Sequence, residues 1–532
     1  MAHRIALVLV VLAALCGTAA SGQQPAAGRA ALHIVLVLDG LRPDSINATD
    51  TPNLQRLRSD GVEFANSHSV FPTVTRVNAT SIASGMYPDR HGIMGNRIFV
   101  PAVEPKRAFN NDDAKLLLRL GEHITTAPSL AEILQGSADK FVAVSSGSTG
   151  SALLLAPRAP GGIGVVINGG FTPGEQVAFP KEDSAAILAR FGPAPKKGGA
   201  TEAHDESVAW AMRVLSEYVI PELKPRVVIS WLTEPDHTQH AHGAGSPQAV
   251  ETIRRDDAQV GALLKRLGEL GLAERTDIMV VSDHGFAQTV LHANVEQALR
   301  DAKLLSAEES DDVVLASSGQ AMAVHVKGRD PKRIAAIVAF LQAQPWCGVV
   351  FTAGGPGTAE GKVRGTFSLE FVHLGGHPRS PDIVFTFPWS SARNRFGVAG
   401  SEGDIVASGP TGPVQVETAN HGGIGPWTVH NTMLAWGPDF KRGAVVRAPA
   451  SNVDVAPTIL HLLGRDEAAN AMQGRVLREA LVGGPDEEQV PVEMRSFEVE
   501  NGPYRAVLQA SRVEGRIYVD KAWRAPAEAA AR

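Results

Sequence analysis

Cysteine is almost absent from the sequence, which has two among 532 residues, Cys16 and Cys347. The first lies in an N-terminal segment that we predict to be removed, so one cysteine would remain. A single cysteine excludes an intrachain disulfide. The fold must therefore be stabilised by packing and by any metal that it binds.

The chain also lacks an excess of charge of either sign. Its 50 Lys and Arg residues are nearly balanced by 56 Asp and Glu residues, for a formal net charge of −6. We find no run of like charges and no internal repeat. A surface that coats nucleic acid needs a basic stripe, so this class of function is not supported. A small-molecule substrate is the expected partner, and the oligomeric state is not readable.

Long hydrophobic runs are missing except at the N-terminus. Residues 1–22 contain Arg4, an apolar stretch from Ile5 to Cys16, and then small residues. This order is typical of a secretory signal peptide, so we predict an exported protein, periplasmic or extracellular. A lipid anchor on Cys16 is disfavoured because Leu15 precedes it, where a small residue is needed. No later segment approaches the ~18 consecutive apolar residues of a membrane helix, so no membrane contact is expected after cleavage.

Short apolar runs rich in Val and Ile indicate strands buried on both faces, as in a parallel sheet. There are five: HIVLVLDG (33–40), FVAVSSG (141–147), RVVISWLTEPD (226–236), DIMVVSDHG (277–285) and DIVFTFP (382–388). Helical patterns alternate with them, for example over 206–218, 248–267 and 453–464. The alternation predicts an α/β fold with a central, mostly parallel sheet and helices on both faces.

We divide the chain by composition. The signal peptide (1–22) precedes the first part of a catalytic α/β core (30–303), and a Gly- and Pro-rich, less regular segment (304–415) is interpreted as an inserted capping subdomain. The closing part of the core follows (416–483), and then a C-terminal strand, expected around AVLQASRV, and a tail (484–532). The inserted segment has no readable motif. Glycan binding by it is one hypothesis, and a wall of the substrate pocket is another.

Acidic and histidine side chains follow several of the predicted strands, where ligands bind in open α/β sheets. Each one alone is more often a turn former or a surface residue. Their joint occurrence indicates a metal site, because imidazole and carboxylate are the ligands that zinc prefers. Six or seven donors exceed one tetrahedral site and fit two divalent ions. The candidates are Asp39, Asp236, His240, Asp283, His284 and, in a Gly-rich loop, His421. Asp236 and His240 would share one ion across a tight turn.

The stretch from Thr75 to Asn96 can supply the chemistry beside such metals. Thr75 would begin a helix that ends at Gly85, where free N–H groups and the helix dipole favour an anion. A threonine hydroxyl is a weak nucleophile that needs activation, which a metal ion can provide. Asn96 would return as an uncharged hydrogen-bond donor to a phosphoryl oxygen.

The motifs together resemble the alkaline phosphatase superfamily, in particular its type I phosphodiesterase and nucleotide pyrophosphatase branch. They occur in that family's order between residues 33 and 478: VLVLDGLRPD, FPTVTRVN, SGMYPDRHGIMGN, TEPDHTQHAHG, VVSDHGF, NHGG and DVAPTILHLLG…MQGRVL. The resemblance implies an alkaline-phosphatase-like fold and a two-zinc phosphodiesterase. One zinc would be held by Asp236, His240 and His421, and the other by Asp39, Asp283, His284 and Thr75 Oγ. Thr75 would be the nucleophile, forming a phospho-threonine that water hydrolyses, and Asn96 would bind the phosphoryl group.

The sequence departs from the family at two places. Family diesterases commonly have Pro-Asn-His soon after the nucleophile, whereas Arg76-Val77-Asn78-Ala79 follows here, so only Asn78 matches. Related monoesterases with a threonine nucleophile carry a Lys and an Arg after the next strand, but SSGSTGSALLLAP has neither before Arg158. The second departure favours a diester with one negative charge.

Several alternatives stay open at this point. Phosphomonoesterase activity is the second hypothesis, phosphonate hydrolysis the third, and a non-catalytic fold held together by metal the fourth. His242 can replace His240 as a ligand if the turn is longer. His91 is interpreted as positioning the loop that carries Asn96, and neither His237 nor His68 has an assigned role.

Overall fold

A nine-stranded sheet lies at the centre of the fold. The computed structural model describes residues 30–172, 174–195, 199–306, 311–414 and 418–526, so the predicted signal peptide lies outside the described residues. The strands, in their order across the sheet, are Ala444–Val446, Val62–Phe64, Met433–Trp436, Thr276–Val281, Leu32–Leu38, Val227–Leu232, Phe141–Ser145, Val165–Thr172 and Gln176–Phe179.

The five strands from Thr276–Val281 to Val165–Thr172 run parallel to one another, which confirms the expected parallel core. Antiparallel pairings occur outside this core, where Met433–Trp436 joins Thr276–Val281 and Gln176–Phe179 joins Val165–Thr172. The sheet is therefore mixed, with a parallel centre.

Helices cover both faces of the sheet, as the continuous apolar runs require. In the strand Leu32–Leu38, Ile34 and Leu36 share a hydrophobic cluster with the helix Pro247–Glu269. The alternate side chains, Val35 and Val37, belong to the opposite cluster with the helix Val455–Leu462. Burial of each such side chain contributes about 1.5–3 kcal/mol.

The helices are interspersed with the strands along the chain, and several follow one another directly. They are Pro52–Asp60, Thr75–Ser84, Pro88–His91, Ala114–Leu118, Leu130–Ile133, Thr149–Leu155, Asp183–Phe191, Asp205–Val214 with a π-helical continuation Leu215–Leu223, Asp236–His242, Pro247–Glu269, Val295–Asp301, Pro331–Ala343, Pro426–Val429, Val455–Leu462 and Asp466–Asn470. None of the helices in the described ranges combines the length and apolar character needed to cross a bilayer.

The predicted insertion contains more regular structure than its composition indicated. Its five-stranded sheet has the order Val313–Ser318, Ala321–Val326, Ile383–Thr386, Val350–Thr352 and Phe367–Ser368. A neighbouring sheet orders Trp389–Arg393, Ala399–Ile405, Ala287–Ala293 and Gly412–Pro413. The Gly-rich stretches 354–365 and 373–382 are loops, as expected. The boundaries 304 and 415 stay a prediction.

One strand was assigned to the wrong sheet. The run DIVFTFP does form a strand, Ile383–Thr386, but it pairs antiparallel with Ala321–Val326 and with Val350–Thr352 in the second sheet. It is fully covered there, so its side chains are apolar on both faces just as in a parallel core. Hydrophobicity alone cannot distinguish the two environments.

The C-terminal region forms a three-stranded antiparallel sheet of Glu493–Asn501, Tyr504–Val513 and Arg516–Arg524. The strand expected at AVLQASRV lies within its central member, and the two flanking strands were not predicted. Its side chain Tyr518 contacts Asp454 of the core with a 3.1 Å hydrogen bond from Oη to Oδ2.

Candidate functional site

Three neighbouring strands of the central sheet deliver carboxylates to one edge. Asp39 follows Leu32–Leu38, and its N–H donates to the carbonyl of Leu232 at 2.9 Å. The N–H of Asp236 in turn donates to the carbonyl of Asp39 at 3.0 Å. Asp283 lies on the other side, where its Oδ1 accepts the N–H of Gly40 at 3.0 Å. The register of the parallel strands therefore brings the three aspartates together.

Each aspartate keeps one buried oxygen without a hydrogen-bond partner. Asp39 Oδ2 accepts from Trp231 Nε1 at 3.0 Å, whereas Asp39 Oδ1 accepts nothing. Asp236 Oδ1 and Asp283 Oδ2 are unsatisfied in the same way. A buried, unpaired carboxylate oxygen is costly, and coordination of a metal ion is one way to satisfy it. The three oxygens therefore fit a cation site.

Three histidines turn the same nitrogen towards these oxygens. His284 Nε2 lies 3.4 Å from Asp39 Oδ1 and 3.1 Å from Asp283 Oδ2. Asp236 Oδ1 lies 3.3 Å from Nε2 of both His240 and His421, and 3.8 Å from that of His284. His284 therefore stands between two sets of carboxylates.

The opposite ring nitrogen of each histidine faces a backbone carbonyl. His284 Nδ1 lies 3.0 Å from Gly285 O, His421 Nδ1 2.8 Å from Thr73 O, and His240 Nδ1 3.0 Å from Ala419 O. A carbonyl only accepts, so each Nδ1 carries a proton, and in the neutral form of each ring Nε2 offers its lone pair. This arrangement is typical of histidines that bind metals.

Two groups of these donors lie close enough to hold a metal ion. One consists of Asp39, Asp283 and His284, and the other of Asp236, His284 and His421. The first group contains three of the four donors predicted for one ion and lacks Thr75. In the second, His284 joins Asp236 and His421, while predicted His240 contacts the group through Asp236.

The local structure around Asp236 differs from the expectation. Asp236 and His240 lie on a helix, Asp236–His242, and not across a tight turn. Residues four apart project from the same helical face, which explains how both side chains reach one point. His242 points elsewhere, because its Nε2 lies 2.9 Å from Thr201 O.

The electrostatics of the site show crowded negative charge. Burial, and then the charges of Asp283 and Asp236, raise the pKa of Asp39 well above its usual value. Burial opposes ionisation of Asp236 too, but His240 and His421 outweigh it and lower its pKa. Burial and the neighbouring His284 lower the pKa of His421 to about 4. A divalent cation would relieve the repulsion and would find the His421 imidazole neutral at neutral pH.

Thr75 begins the helix Thr75–Ser84, which ends at Gly85 with a left-handed φ of +64°, as predicted. Its Oγ1 lies 3.5 Å from His284 Nε2 and it is 5 % exposed. Asn78 fixes the entry to this helix, since its Nδ2 donates to the carbonyls of Val70 and Val74 at 3.1 Å. The hydroxyl is therefore held against the metal-binding donors.

Asn96 returns to the start of the same helix. Its Oδ1 accepts the N–H of Arg76 at 3.1 Å, and its own N–H donates to Ser318 Oγ at 3.1 Å. The side-chain oxygen is thus occupied by a hydrogen bond, and among the described residues the Nδ2 amide group is left to donate to an acceptor beside Thr75. The roles of Thr75 and Asn96 stay predictions.

The other histidines named from the sequence have partners of their own. His91 is buried, with Nδ1 accepting the N–H of Ile93 at 3.1 Å and Nε2 3.2 Å from Ser81 Oγ, which agrees with a positioning role. His68 lies between Ala450 O and Asp520, and His237 stacks on His204.

Two contributors to the site were not predicted from the sequence. Trp231 orients Asp39 from inside a strand, where an apolar run gives no signal for it. Thr73 supplies the carbonyl that orients His421, and its Oγ1 accepts the N–H of Gly422 at 3.1 Å.

Comparison with known proteins identifies the family. Residues 33–386, more than half of the chain, match the model of the family described as "Type I phosphodiesterase / nucleotide pyrophosphatase". The chain belongs to this family. The predicted resemblance is thereby confirmed.

The relatives are distant in sequence, and two of the three compared are much longer than this chain. The rat ectonucleotide pyrophosphatase/phosphodiesterase family member 1 is 24% identical over 285 residues, covering 51% of this chain and 26% of that protein. The Crotalus durissus collilineatus venom phosphodiesterase CdcPDE is 25% identical over 276 residues, covering 51% and 28%. The chain thus spans about a quarter of the length of these relatives. A Xenopus laevis bis(5'-adenosyl)-triphosphatase is 24% identical over 285 residues, covering 53% of both chains.

The fold agrees with solved structures of the family. Murine ectonucleotide pyrophosphatase/phosphodiesterase 5 aligns with a TM-score of 0.54 at 19% identity, covering 81% of this chain and 95% of that one. An inactive variant of that protein in complex with AMP aligns with a TM-score of 0.53. These likenesses confirm the alkaline-phosphatase-like α/β fold.

Proposed function

We propose that this family member is an exported, metal-dependent hydrolase that cleaves phosphodiester or pyrophosphate bonds through Thr75. The observation that carries the proposal is the 3.5 Å approach of Thr75 Oγ1 to His284 Nε2. His284 belongs to both metal-holding groups, so the hydroxyl lies beside the point where they meet. The names of the relatives, a venom phosphodiesterase and a bis(5'-adenosyl)-triphosphatase, support this class of substrate.

The donor set fits two divalent ions, and zinc is the ion we propose. Mixed imidazole and carboxylate donors suit zinc, and three of the oxygens are buried without partners. Asp39, Asp283 and His284 would hold one ion, and Asp236, His240 and His421 the other. Such ions, when bound, lower the pKa of an attacking hydroxyl and stabilise charge on the leaving oxygen.

The chain's own residues then account for the two bond changes. Thr75 Oγ forms a bond to phosphorus while the bond to the leaving oxygen breaks, giving a phospho-threonine and a departing group that takes up a proton. Water attacks the phosphorus next, releases the phosphate product and restores the threonine hydroxyl. Asn96 Nδ2 donates to a phosphoryl oxygen, and the N-terminus of the helix Thr75–Ser84 favours its negative charge.

We propose that the inserted segment 304–415 forms the wall for the leaving group. The hairpin turn after Val313–Ser318 reaches the site from this segment: Ser318 Oγ accepts the N–H of Asn96, and the N–H of Gln320 donates to His421 O at 2.8 Å. A cavity of about 520 Å³ adjoins this turn and is lined by Ser317 and Asn420, among others. Its lining also includes Arg97, the chain neighbour of Asn96, and Asn420 is the chain neighbour of His421.

Replacement of the nucleophile tests the proposal. Thr75→Ala is expected to lower kcat/KM for bis(p-nitrophenyl) phosphate at least about a thousandfold, because the attacking oxygen is lost. Thr80→Ala on the same helix is the matched control, since Thr80 Oγ1 bonds only to the carbonyl of Arg76 at 2.8 Å. Unchanged turnover with Thr75→Ala, measured at equal metal content, would remove Thr75 from the mechanism.

Export rests on the N-terminal sequence pattern and on the ecto- and venom enzymes among the relatives. Expression of the full chain in a Gram-negative host, followed by N-terminal sequencing, is expected to yield a protein that begins near residue 23 in the periplasmic fraction. A cytoplasmic product that retains residue 1 would contradict export and leave the catalytic proposal untouched.

A further inference from the structure

Arg76 places a guanidinium group directly after the proposed nucleophile. Its Nε donates to Asn111 Oδ1 at 3.0 Å and its Nη2 to Asn110 Oδ1 at 2.8 Å. Within the described residues its Nη1 makes no hydrogen bond, and no carboxylate pairs with it. The two amides therefore fix the direction of the group without neutralising its charge.

The same asparagines connect Arg76 to the loop that presents Asn96. The N–H of Asn111 donates to Asn96 O at 3.2 Å, and Asn111 Nδ2 donates to Gly95 O at 2.8 Å. The N–H of Arg76 itself donates to Asn96 Oδ1. The cation and the proposed phosphoryl donor therefore belong to one rigid unit at the start of the helix Thr75–Ser84.

The negative charges that act on this guanidinium are Asp112 and the three site aspartates, Asp39, Asp236 and Asp283. The site aspartates are the proposed metal ligands, so bound cations would offset their charge. Arg76 would then act on the site as a fixed positive charge, because arginine does not lose its proton in proteins. A half-buried cation without an ion pair favours an anionic ligand.

We propose that Arg76 determines substrate specificity by binding a second anionic oxygen of the substrate. This oxygen carries a charge beyond the single negative charge of a phosphodiester. This inference rests on the proposed function and narrows its substrate class. We favour the neighbouring phosphate of a pyrophosphate bond as the source of this oxygen. The alternative source is the second charge of a phosphomonoester. Arg76 follows Thr75 directly, and the stretch 145–157, where related monoesterases carry a Lys and an Arg, contains neither.

Selectivity among three substrates tests the assignment. Arg76→Gln and Arg76→Lys are compared with wild type on bis(p-nitrophenyl) phosphate, p-nitrophenyl phosphate and ATP. A charge-assisted contact predicts a roughly 10- to 100-fold fall in kcat/KM with Arg76→Gln for a substrate that carries the extra charge. The fall for the singly charged diester should stay below about threefold, and Arg76→Lys should recover part of the loss. A loss confined to ATP assigns the contact to the neighbouring phosphate, and one confined to the monoester assigns it to the transferred group.

Arg90→Gln is the matched control, because it removes a positive charge from the same connection between the helix Thr75–Ser84 and Asn96, where Arg90 is exposed in the helix Pro88–His91. Equal losses on all three substrates with Arg76→Gln, or the same selectivity change with Arg90→Gln, would overturn the assignment.

Binding of inorganic phosphate to the metal-loaded protein separates this inference from the proposed function. Calorimetry should show a Kd raised at least about tenfold by Arg76→Gln. A wild type that hydrolyses none of the esters, yet binds phosphate in this Arg76-dependent way, would refute the hydrolase and keep the anion site. An unchanged Kd together with unchanged selectivity refutes the anion site alone.

Discussion

Among the buried charged residues that the structure describes, two clusters differ in what pairs with their carboxylate oxygens. In the first, Arg475 donates to both oxygens of Glu479 and to Pro449 O, and Asp454 accepts the N–H groups of Ser451 and Arg475. In the second, Asp39, Asp236 and Asp283 each keep an unpaired buried oxygen.

The difference separates a structural network from a binding site. A cluster whose carboxylate oxygens are all paired within the chain needs no cation, although Arg475 Nε has no partner among the described residues, and its members can be assigned to stability. A cluster whose oxygens are left unpaired, with three imidazole nitrogens turned towards them, is incomplete without a cation. Burial alone does not distinguish the two, since both are shielded from water.

The largest expected effect on metal binding and activity comes from removing one of the unpaired carboxylates. Asp283→Asn should reduce metal affinity and kcat/KM about a hundredfold or more, because an amide is a poor ligand for zinc. The metal-free variant should be no less stable than metal-free wild type, since one source of repulsion on Asp39 disappears. Chemical denaturation in a chelator, alongside steady-state kinetics with added zinc, measures both. A metal-free variant destabilised by several kcal/mol would show that Asp283 stabilises the fold, as the Arg475 cluster does.

The satisfied cluster should respond in the opposite way. Arg475→Met leaves the Glu479 carboxylate buried without its partner, so the free energy of unfolding should fall by about 3–5 kcal/mol. Metal content and kcat of the folded fraction should not change. The double variant with Glu479→Leu should recover part of the stability. Loss of bound metal in folded Arg475→Met would show that the two clusters are not independent.

A smaller effect is expected in the pH dependence of the metal-free protein. The pKa of His421 is lowered to about 4 by burial and by His284, from an ordinary value of 6.5. The unfolded chain therefore binds more protons between these values, and this residue makes the folded state more stable as pH rises from about 4 to 6.5. The difference in unfolding free energy between wild type and His421→Gln should grow in that window, as denaturation at several pH values can measure. A difference independent of pH would contradict the buried, neutral imidazole.

Much of the site was predictable because the donors follow recognisable strands. Asp39, Asp236 and Asp283 each come after a Val- and Ile-rich run, and the edge of a parallel sheet brings such ends together. The pairing of Ile383–Thr386 was not predictable, because a covered antiparallel strand has the same apolar pattern. The sequence also contained no signal for Trp231, whose ring nitrogen orients Asp39 from within a strand. The helix at Asp236 was missed because seven residues are too short for a clear period.

Metal analysis of the purified protein tests the central claim most directly, namely that the unpaired donors at the sheet edge hold two cations beside Thr75. Elemental analysis of the zinc-loaded chain should give two zinc ions per wild-type molecule, and dialysis against a chelator should abolish hydrolysis until zinc is returned. Less than one bound ion per chain, together with undiminished hydrolysis in the chelator, would contradict the account.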